Sequence, residues 1–201
     1  MSYSEIVYPY IEGEVKNPPI IDVKEIKAFL KLPLDADEYL DIELSDMAET
    51  ALEYAEKYCR QIFMERDITT SRVFWGEFRN GAVNTAFTLR RTPVKAIKSI
   101  KYDDDNELDN SFYKLVHRAG SFDQIALQNV ENLPSIENDW FPIEITYTAG
   151  YDKLPSDIRR AMLMHIASMW LNRGDYDNNN LKCPQMARDI YKKYKIIEIG
   201  T

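Results

Sequence analysis

The spacing of the apolar residues changes twice along this chain, and those two changes limit what it can fold into. Between Leu40 and Ile62 apolar side chains recur at steps of three and four residues, which is typical of an amphipathic helix. Residues 66–148 instead contain short β-prone runs, and residues 142–148 alternate apolar and polar side chains. After Pro155 the helical spacing returns. This order predicts an α+β fold.

Neither helical segment can bury its apolar face alone, so we expect the two to pack together. The predicted architecture is a mainly helical core, made of N-terminal helices in residues 22–62 and C-terminal helices in residues 155–196. A small antiparallel β-sheet is inserted at residues 66–148. Residues 1–20, which contain three prolines, are interpreted as an extended N-terminal arm, and residues 21–201 as a single domain.

The chain is acidic, with 33 Asp and Glu against 25 Lys and Arg and a formal net charge of −8. Non-specific binding to duplex DNA depends on Lys and Arg that neutralise phosphates, so this balance argues against it. The series Lys95, Lys98 and Lys101 is interpreted as a solvated strand face rather than a nucleic-acid patch. The predicted helix before residue 62 has an acidic face, interpreted as solvated or as lining something that must not bind nucleic acid. Its acids are Asp41, Glu43, Asp46, Glu49, Glu53 and Glu56.

Cysteine usage and hydropathy indicate a reducing, cytosolic setting. Cys59 and Cys183 are the two cysteines, and they follow no metal-binding or redox spacing, so two reduced thiols are expected. No apolar run approaches the roughly 20 residues of a membrane span, and the N-terminus lacks the features of a signal peptide. We therefore expect no membrane partner.

No group of residues points to catalysis. His117 lies in a strand candidate and His165 in an apolar helix, where packing explains both, and no glycine-rich phosphate loop or nucleophile motif is present. We expect no enzyme activity, no cofactor and no bound metal. One alternative stays open, a metal-dependent hydrolase or nuclease that uses Asp103, Asp104 and Asp105, although a hairpin turn fits their spacing better.

Five segments occur in a characteristic order along the chain. They are residues 52–60, 87–103, 112–115, 145–151 and 154–173. The most distinctive feature is the strand end Ala149-Gly150-Tyr151, followed by a proline-led helix that ends Trp170-Leu171-Asn172-Arg173. Over residues 22–175 this succession resembles the head–tail connector (adaptor) proteins of long-tailed double-stranded DNA bacteriophages and prophages. In that family a glycine is frequent between the aromatic end of the helix and the first strand, and here Cys59-Arg60-Gln61 stands in its place.

The resemblance implies a structural virion protein without catalytic residues. Such proteins form a ring between the portal of the DNA-filled head and the tail, extend the DNA channel, and dock other neck or tail proteins. The implied partners are further copies of the chain, which can be monomeric when isolated, the portal, and neck or tail proteins. DNA would pass without sequence-specific binding. The implied location is the virion neck, after assembly in the bacterial cytoplasm. A tail-completion or stopper protein of the same region is the alternative.

Two features suit a ring subunit. The helix at residues 155–173 has more apolar surface than a thin domain needs, and the last residues carry aromatic and isoleucine side chains without an obvious internal partner. Residues 120–139 are interpreted as an exposed loop that contacts a partner. The candidate residues for a subunit or portal interface are Trp170, Tyr191, Tyr194, Ile196, Ile197 and Ile199.

Overall fold

Backbone contacts divide the chain into a sheet unit and a helical unit. The sheet unit combines Met1–Val15 with Glu65–Gly150, and the helical unit combines Lys16–Met64 with Tyr151–Thr201. The protein is described by a computed structural model over residues 10–16, 20–35, 38–79, 82–103, 106–137, 142–173 and 183–197.

The described residues of the sheet unit form ten strands. In chain order they are β1 Tyr10–Glu12, β2 Arg66–Arg72, β3 Glu77–Arg79, β4 Ala82–Asn84, β5 Ala86–Leu89, β6 Val94–Tyr102, β7 Asn106–Glu107, β8 Tyr113–Val116, β9 Asp123–Leu127 and β10 Ile143–Ala149. The main sheet has the order β1-β2-β10-β6-β7, a second sheet has the order β5-β9-β8, and β3 pairs with β4. All of these pairings are antiparallel.

The central strand β10 shows why the main sheet forms where it does. Its apolar residues Ile143, Ile145 and Tyr147 are fully buried, while Glu144 between them is exposed. β10 pairs with β2 residue for residue over its whole length, whereas its pairing with β6 contains two register shifts. Because the side-chain period of a strand is two, this alternation fixes which face of β10 meets the core.

A buried arginine ties β1 and β5 to the main sheet. The Arg72 guanidinium is almost fully buried and donates hydrogen bonds to the Thr70 hydroxyl at 2.9 Å and to the Thr88 carbonyl at 3.0 Å. In β1, Glu12 accepts from Arg66 at 2.9 Å and from Arg91 at 2.7 Å. Three residues of the segment expected to be an extended arm are therefore a strand held by charged contacts.

Four α-helices make up the described part of the helical unit: α1 Val23–Leu30, α2 Glu38–Cys59, α3 Ser156–Leu171 and α4 Gln185–Tyr194. Asp22 caps α1, since its carboxylate accepts from the Lys24 N–H at 2.8 Å. α2 ends at Cys59, and Arg60 then adopts a left-handed conformation with φ of 57°. This is the conformation that glycine adopts most easily after a helix, and here arginine takes it.

The helical unit has its own core between α2, α3 and α4. Buried alanines along one face of α2 let the other helices approach closely. The His165 ring in α3 stands edge-on to the Tyr54 ring in α2, with ring centroids 4.9 Å apart. Tyr54 also lies 6.0 Å from the Tyr191 ring in α4. The core is therefore built from small residues on α2 and aromatic rings shared by three helices.

The expectation of a mainly helical core with a small inserted sheet is wrong. The protein is α+β, but eight strands form two antiparallel sheets, the larger of which is a main sheet with buried residues of its own. The misjudgement has a physical cause. Strands such as β1 and β7 have three and two residues, too few to show a period, and β1 joins the sheet through β2, a partner distant in sequence.

Candidate assembly interface

The aspartates considered as metal ligands lie at a turn. The backbone N–H of Asp103 donates to the Pro142 carbonyl at 2.9 Å, and its carboxylate accepts from the Glu137 N–H at 3.0 Å. Asp104 and Asp105 lie outside the described residues. These two hydrogen bonds hold Asp103 at the turn, which is the structural role that the hairpin interpretation predicts for it.

Among the described residues, the histidines and the other acids form no second candidate metal site. His117 in the sheet unit lies 3.2 Å from Asp123, whose buried carboxylate also accepts from the Val94 N–H at 2.7 Å. His165 is buried against Tyr54. Across the residues that the structure describes, no three His, Cys, Asp or Glu side chains come together as metal ligands would. None of the helices in that part of the chain combines the length and apolarity needed to cross a membrane.

The lysines of β6 are neutralised by acids of the same unit. Lys95 pairs with Glu65, and Lys98 lies 2.5 Å from the Asp67 carboxylate. Lys101 is opposite Glu107 in the strand register. Because these cations already have anionic neighbours, the series is a poor phosphate-binding surface.

Two of the candidate interface residues are buried inside the helical unit. Tyr191 is fully buried between the Tyr54 and Tyr58 rings, and its carbonyl accepts from the Cys59 thiol at 3.2 Å. Ile196 is also buried, and its N–H donates to the Cys59 carbonyl at 2.9 Å. The end of the chain therefore has internal partners that its sequence did not reveal.

Tyr194 and Trp170 are half-buried. The Tyr194 hydroxyl donates to the Asp157 carboxylate at 2.6 Å, and burial together with this bond raises the pKa of Tyr194 to about 12. The Arg173 guanidinium lies over the Trp170 ring, 3.5 Å from its centroid. Tyr194, through its hydroxyl, and Trp170, through its ring face, therefore already have contacts within the subunit.

Ile197 is the candidate that the structure leaves exposed, with 69% of its surface accessible. Ile199 lies outside the described residues. Around Ile197 the end of α4 is basic, with Lys192, Lys193 and Lys195 exposed. We call these three lysines and Ile197 the α4 lysine segment.

Two large apolar side chains that were not among the candidate interface residues are exposed at the start of α2. Tyr39 and Ile42 are 81% and 54% exposed, one helical turn apart. Asp46 and Glu49 follow at the next turns and are exposed as well. We call Tyr39, Ile42, Asp46 and Glu49 the α2 face. The signal was present in the sequence, because two apolar residues interrupt a helix face otherwise lined by acids.

Other acids of that helix are held within the unit. Asp41 lies 2.5 Å from the buried Lys27 ammonium, Glu43 lies 3.7 Å from Arg173, and Glu56 accepts from the Phe63 N–H at 2.8 Å. The interpretation of a uniformly solvated acidic face is therefore too broad. Asp46 and Glu49 are the part of it that extends the apolar residues into an exposed surface.

The predicted partner loop at residues 120–139 is only partly exposed. Its centre is β9, whose residues are mostly buried, and exposure is continuous from Gln128 to Asn132. The following segment is tied back to the sheet unit, since the Trp75 indole N–H donates to the Pro134 carbonyl at 2.8 Å.

The fold is similar to chains in three solved structures, each at 18% sequence identity and each covering 94% of this chain and 97% of the other. The structure described as "Neck of empty GTA particle computed with C6 symmetry" matches with a TM-score of 0.73. "Virion of native gene transfer agent (GTA) particle" matches at 0.71, and "Neck of native GTA particle computed with C12 symmetry" at 0.67. No protein-family model and no curated protein matches the chain. At this identity the similarity establishes the fold.

Proposed function

We propose that this chain is a structural neck protein of a phage-like particle, and that copies of it form a ring between the portal of the head and the tail. One observation carries the proposal: nearly the whole chain shares its fold with chains from the neck of a gene transfer agent particle. Those necks were computed with sixfold and twelvefold cyclic symmetry, which supports a ring as the form of assembly.

The charge of the chain suits a channel through which DNA passes. A formal net charge of −8 disfavours a surface that grips the phosphate backbone, and the lysines of β6 are paired with acids. The role needs no catalytic residue. The ring would extend the DNA channel and offer a docking face for other neck or tail proteins at the virion neck, after assembly in the bacterial cytoplasm.

The proposal is tested by light scattering over a concentration series, with negative-stain images of any large species. We expect a closed ring with a central opening to appear as the concentration rises. A mass of one subunit at every concentration, with no ring formed in the presence of the portal either, would contradict ring formation by this chain.

The identity of the bound neighbour separates a connector from a tail-completion or stopper protein. A connector binds the portal directly, so immobilised portal from the same particle should retain the chain. Retention by a neck ring that already covers the portal, and not by the portal itself, would assign the stopper role instead.

A further inference from the structure

We propose that the α2 face of one subunit binds the α4 lysine segment of the next copy of this chain. The inference rests on the proposed function, because it names the surfaces through which ring subunits would meet. Both surfaces belong to the helical unit, and each combines exposed apolar area with charge of one sign. The occupant of the α2 face is therefore a second copy of the chain.

Of the two proposed surfaces, the one at the start of α2 exposes more apolar side chains. Beside Tyr39 and Ile42, Leu171 at the end of α3 is 80% exposed. The contact between Arg173 and Glu43 brings the end of α3 to the start of α2, so these side chains share one end of the helical unit. Single exposed apolar residues are normal on a protein surface, whereas several large ones at one end form a patch of the kind that partners cover.

The charges next to this patch are acidic. Asp46 and Glu49 continue the exposed side of α2 at steps of four and three residues after Ile42. Unlike Asp41 and Glu43, they are exposed side chains rather than members of an ion pair with α1 or α3. A partner with exposed lysines and an apolar side chain is the complement of this surface.

The α4 lysine segment has that composition. Lys192 and Lys193 lie in the last turn of α4, and Ile197 is exposed just beyond it. The segment is anchored at the far end of α2, where the Ile196 N–H bonds to the Cys59 carbonyl. It is thus a fixed basic surface and not a loose end.

The two surfaces are too far apart to meet within one subunit. In α2, Tyr39 lies 20 residues and Glu49 lies 10 residues before Cys59, where the α4 lysine segment is anchored, which is about 30 Å and about 15 Å along the helix at 1.5 Å per residue. A contact between them must therefore join two copies head to tail. Such a contact is heterologous, and it closes into a ring when its rotation is a full turn divided by a whole number, with no shift along the axis.

Reciprocal charge reversal tests the contact. In one variant the acids become lysines, Asp46→Lys with Glu49→Lys, and in the other the lysines become acids, Lys192→Glu with Lys193→Glu. Like charges then face each other, so each variant alone should self-associate at least about tenfold more weakly in sedimentation velocity runs. All four residues are exposed, and circular dichroism and melting curves check that each variant folds.

The decisive experiment is to mix the two variants. Each variant presents the charge that the other needs, so an equimolar mixture should assemble as strongly as the unmodified chain, with the variants alternating around the ring. Carrying all four substitutions in one chain should restore assembly as well. Raising the salt concentration should weaken association of the unmodified chain.

Control variants reverse charges on the sheet unit. Lys114→Glu with Arg118→Glu, and Glu14→Lys, alter exposed residues there and should leave assembly unchanged. If the α2 and α4 variants assemble like these controls, or if the mixture fails to recover, this contact is wrong while the ring proposal stands. If the unmodified chain forms no ring either alone or with the portal, the proposed function itself fails.

Discussion

In the sheet unit, charged residues hold the strands together: Arg72 is buried under carbonyl and hydroxyl acceptors, and Glu12 bridges Arg66 and Arg91. In the helical unit, the centre is instead made of aromatic rings and thiols around Tyr191 and Cys59. Arg66, Arg72 and Arg91 of the sheet unit are thus held in internal contacts, whereas Lys192, Lys193 and Lys195 of the helical unit are exposed. Because exposed charges are the ones that a partner can reach, the proposed contact between copies lies on the helical unit.

The largest effect is expected from Arg72→Ala. The substitution removes several hydrogen bonds from buried acceptors and leaves a cavity, so the sheet unit should lose about 4 kcal/mol of unfolding free energy. Urea unfolding measures the loss, and hydrogen exchange at the amides of β1 should become faster. Arg118→Ala, at an exposed site, is the control and should change stability by less than about 0.5 kcal/mol. If Arg72→Ala and Arg118→Ala destabilised the protein equally, the sheet unit would not depend on the buried charge of Arg72.

The second prediction concerns alkaline pH and the helical unit. Burial raises the pKa of Cys59 to about 12 and that of Cys183 to about 11. Because the folded pKa values lie above those of free thiols, this stabilisation is complete below about pH 8.5 and is lost as the pH rises toward the folded values. Each thiol should cost the unit about 2 kcal/mol by pH 10, about 4 kcal/mol for the two together.

Urea midpoints at pH 7 and pH 10 measure this loss, with a thiol reagent as a second readout. Both thiols should stay unreactive in the native protein at pH 8 and react on unfolding. The double variant Cys59→Ala with Cys183→Ala should lose less stability between pH 7 and pH 10 than the unmodified chain. An unchanged loss in that variant would assign the pH dependence to other groups.

The smallest effect is expected from Tyr191→Phe. The Tyr191 hydroxyl is buried and has no hydrogen-bond partner among the described residues, so its removal should stabilise the helical unit by about 1 kcal/mol. Tyr194→Phe is the matched variant and should destabilise by a similar amount, because that hydroxyl bonds to Asp157. Thermal melts of both variants should show a higher melting temperature for Tyr191→Phe and a lower one for Tyr194→Phe. Destabilisation by Tyr191→Phe would mean that its hydroxyl is satisfied.

Local patterns in the sequence were sufficient for some elements. Alternation at residues 142–148 predicted the strand that became β10, and the apolar spacing between Leu40 and Ile62 predicted the helix that became α2. These features depend on residues near one another in sequence. The resemblance also pointed to the unusual turn after α2, where Arg60 takes a conformation that suits glycine.

Contacts distant in sequence escaped prediction, and they determine both the fold and the surface. Tyr10–Glu12 is a strand because residues of β2 lie beside it, more than 50 positions later. Tyr191 looked available for a partner because its neighbours Tyr54 and Tyr58 lie more than 130 residues earlier. Tyr39 and Ile42, by contrast, can be recognised from the sequence as apolar residues on an acidic helix face.

The central claim is that copies of this chain close into a ring, and averaged electron-microscope images of the assembled protein, viewed along its axis, test it most directly. We expect a cyclic particle of more than two subunits around a central opening wide enough for duplex DNA to pass. A twofold dimer, an open filament or a solid particle without a channel would contradict it.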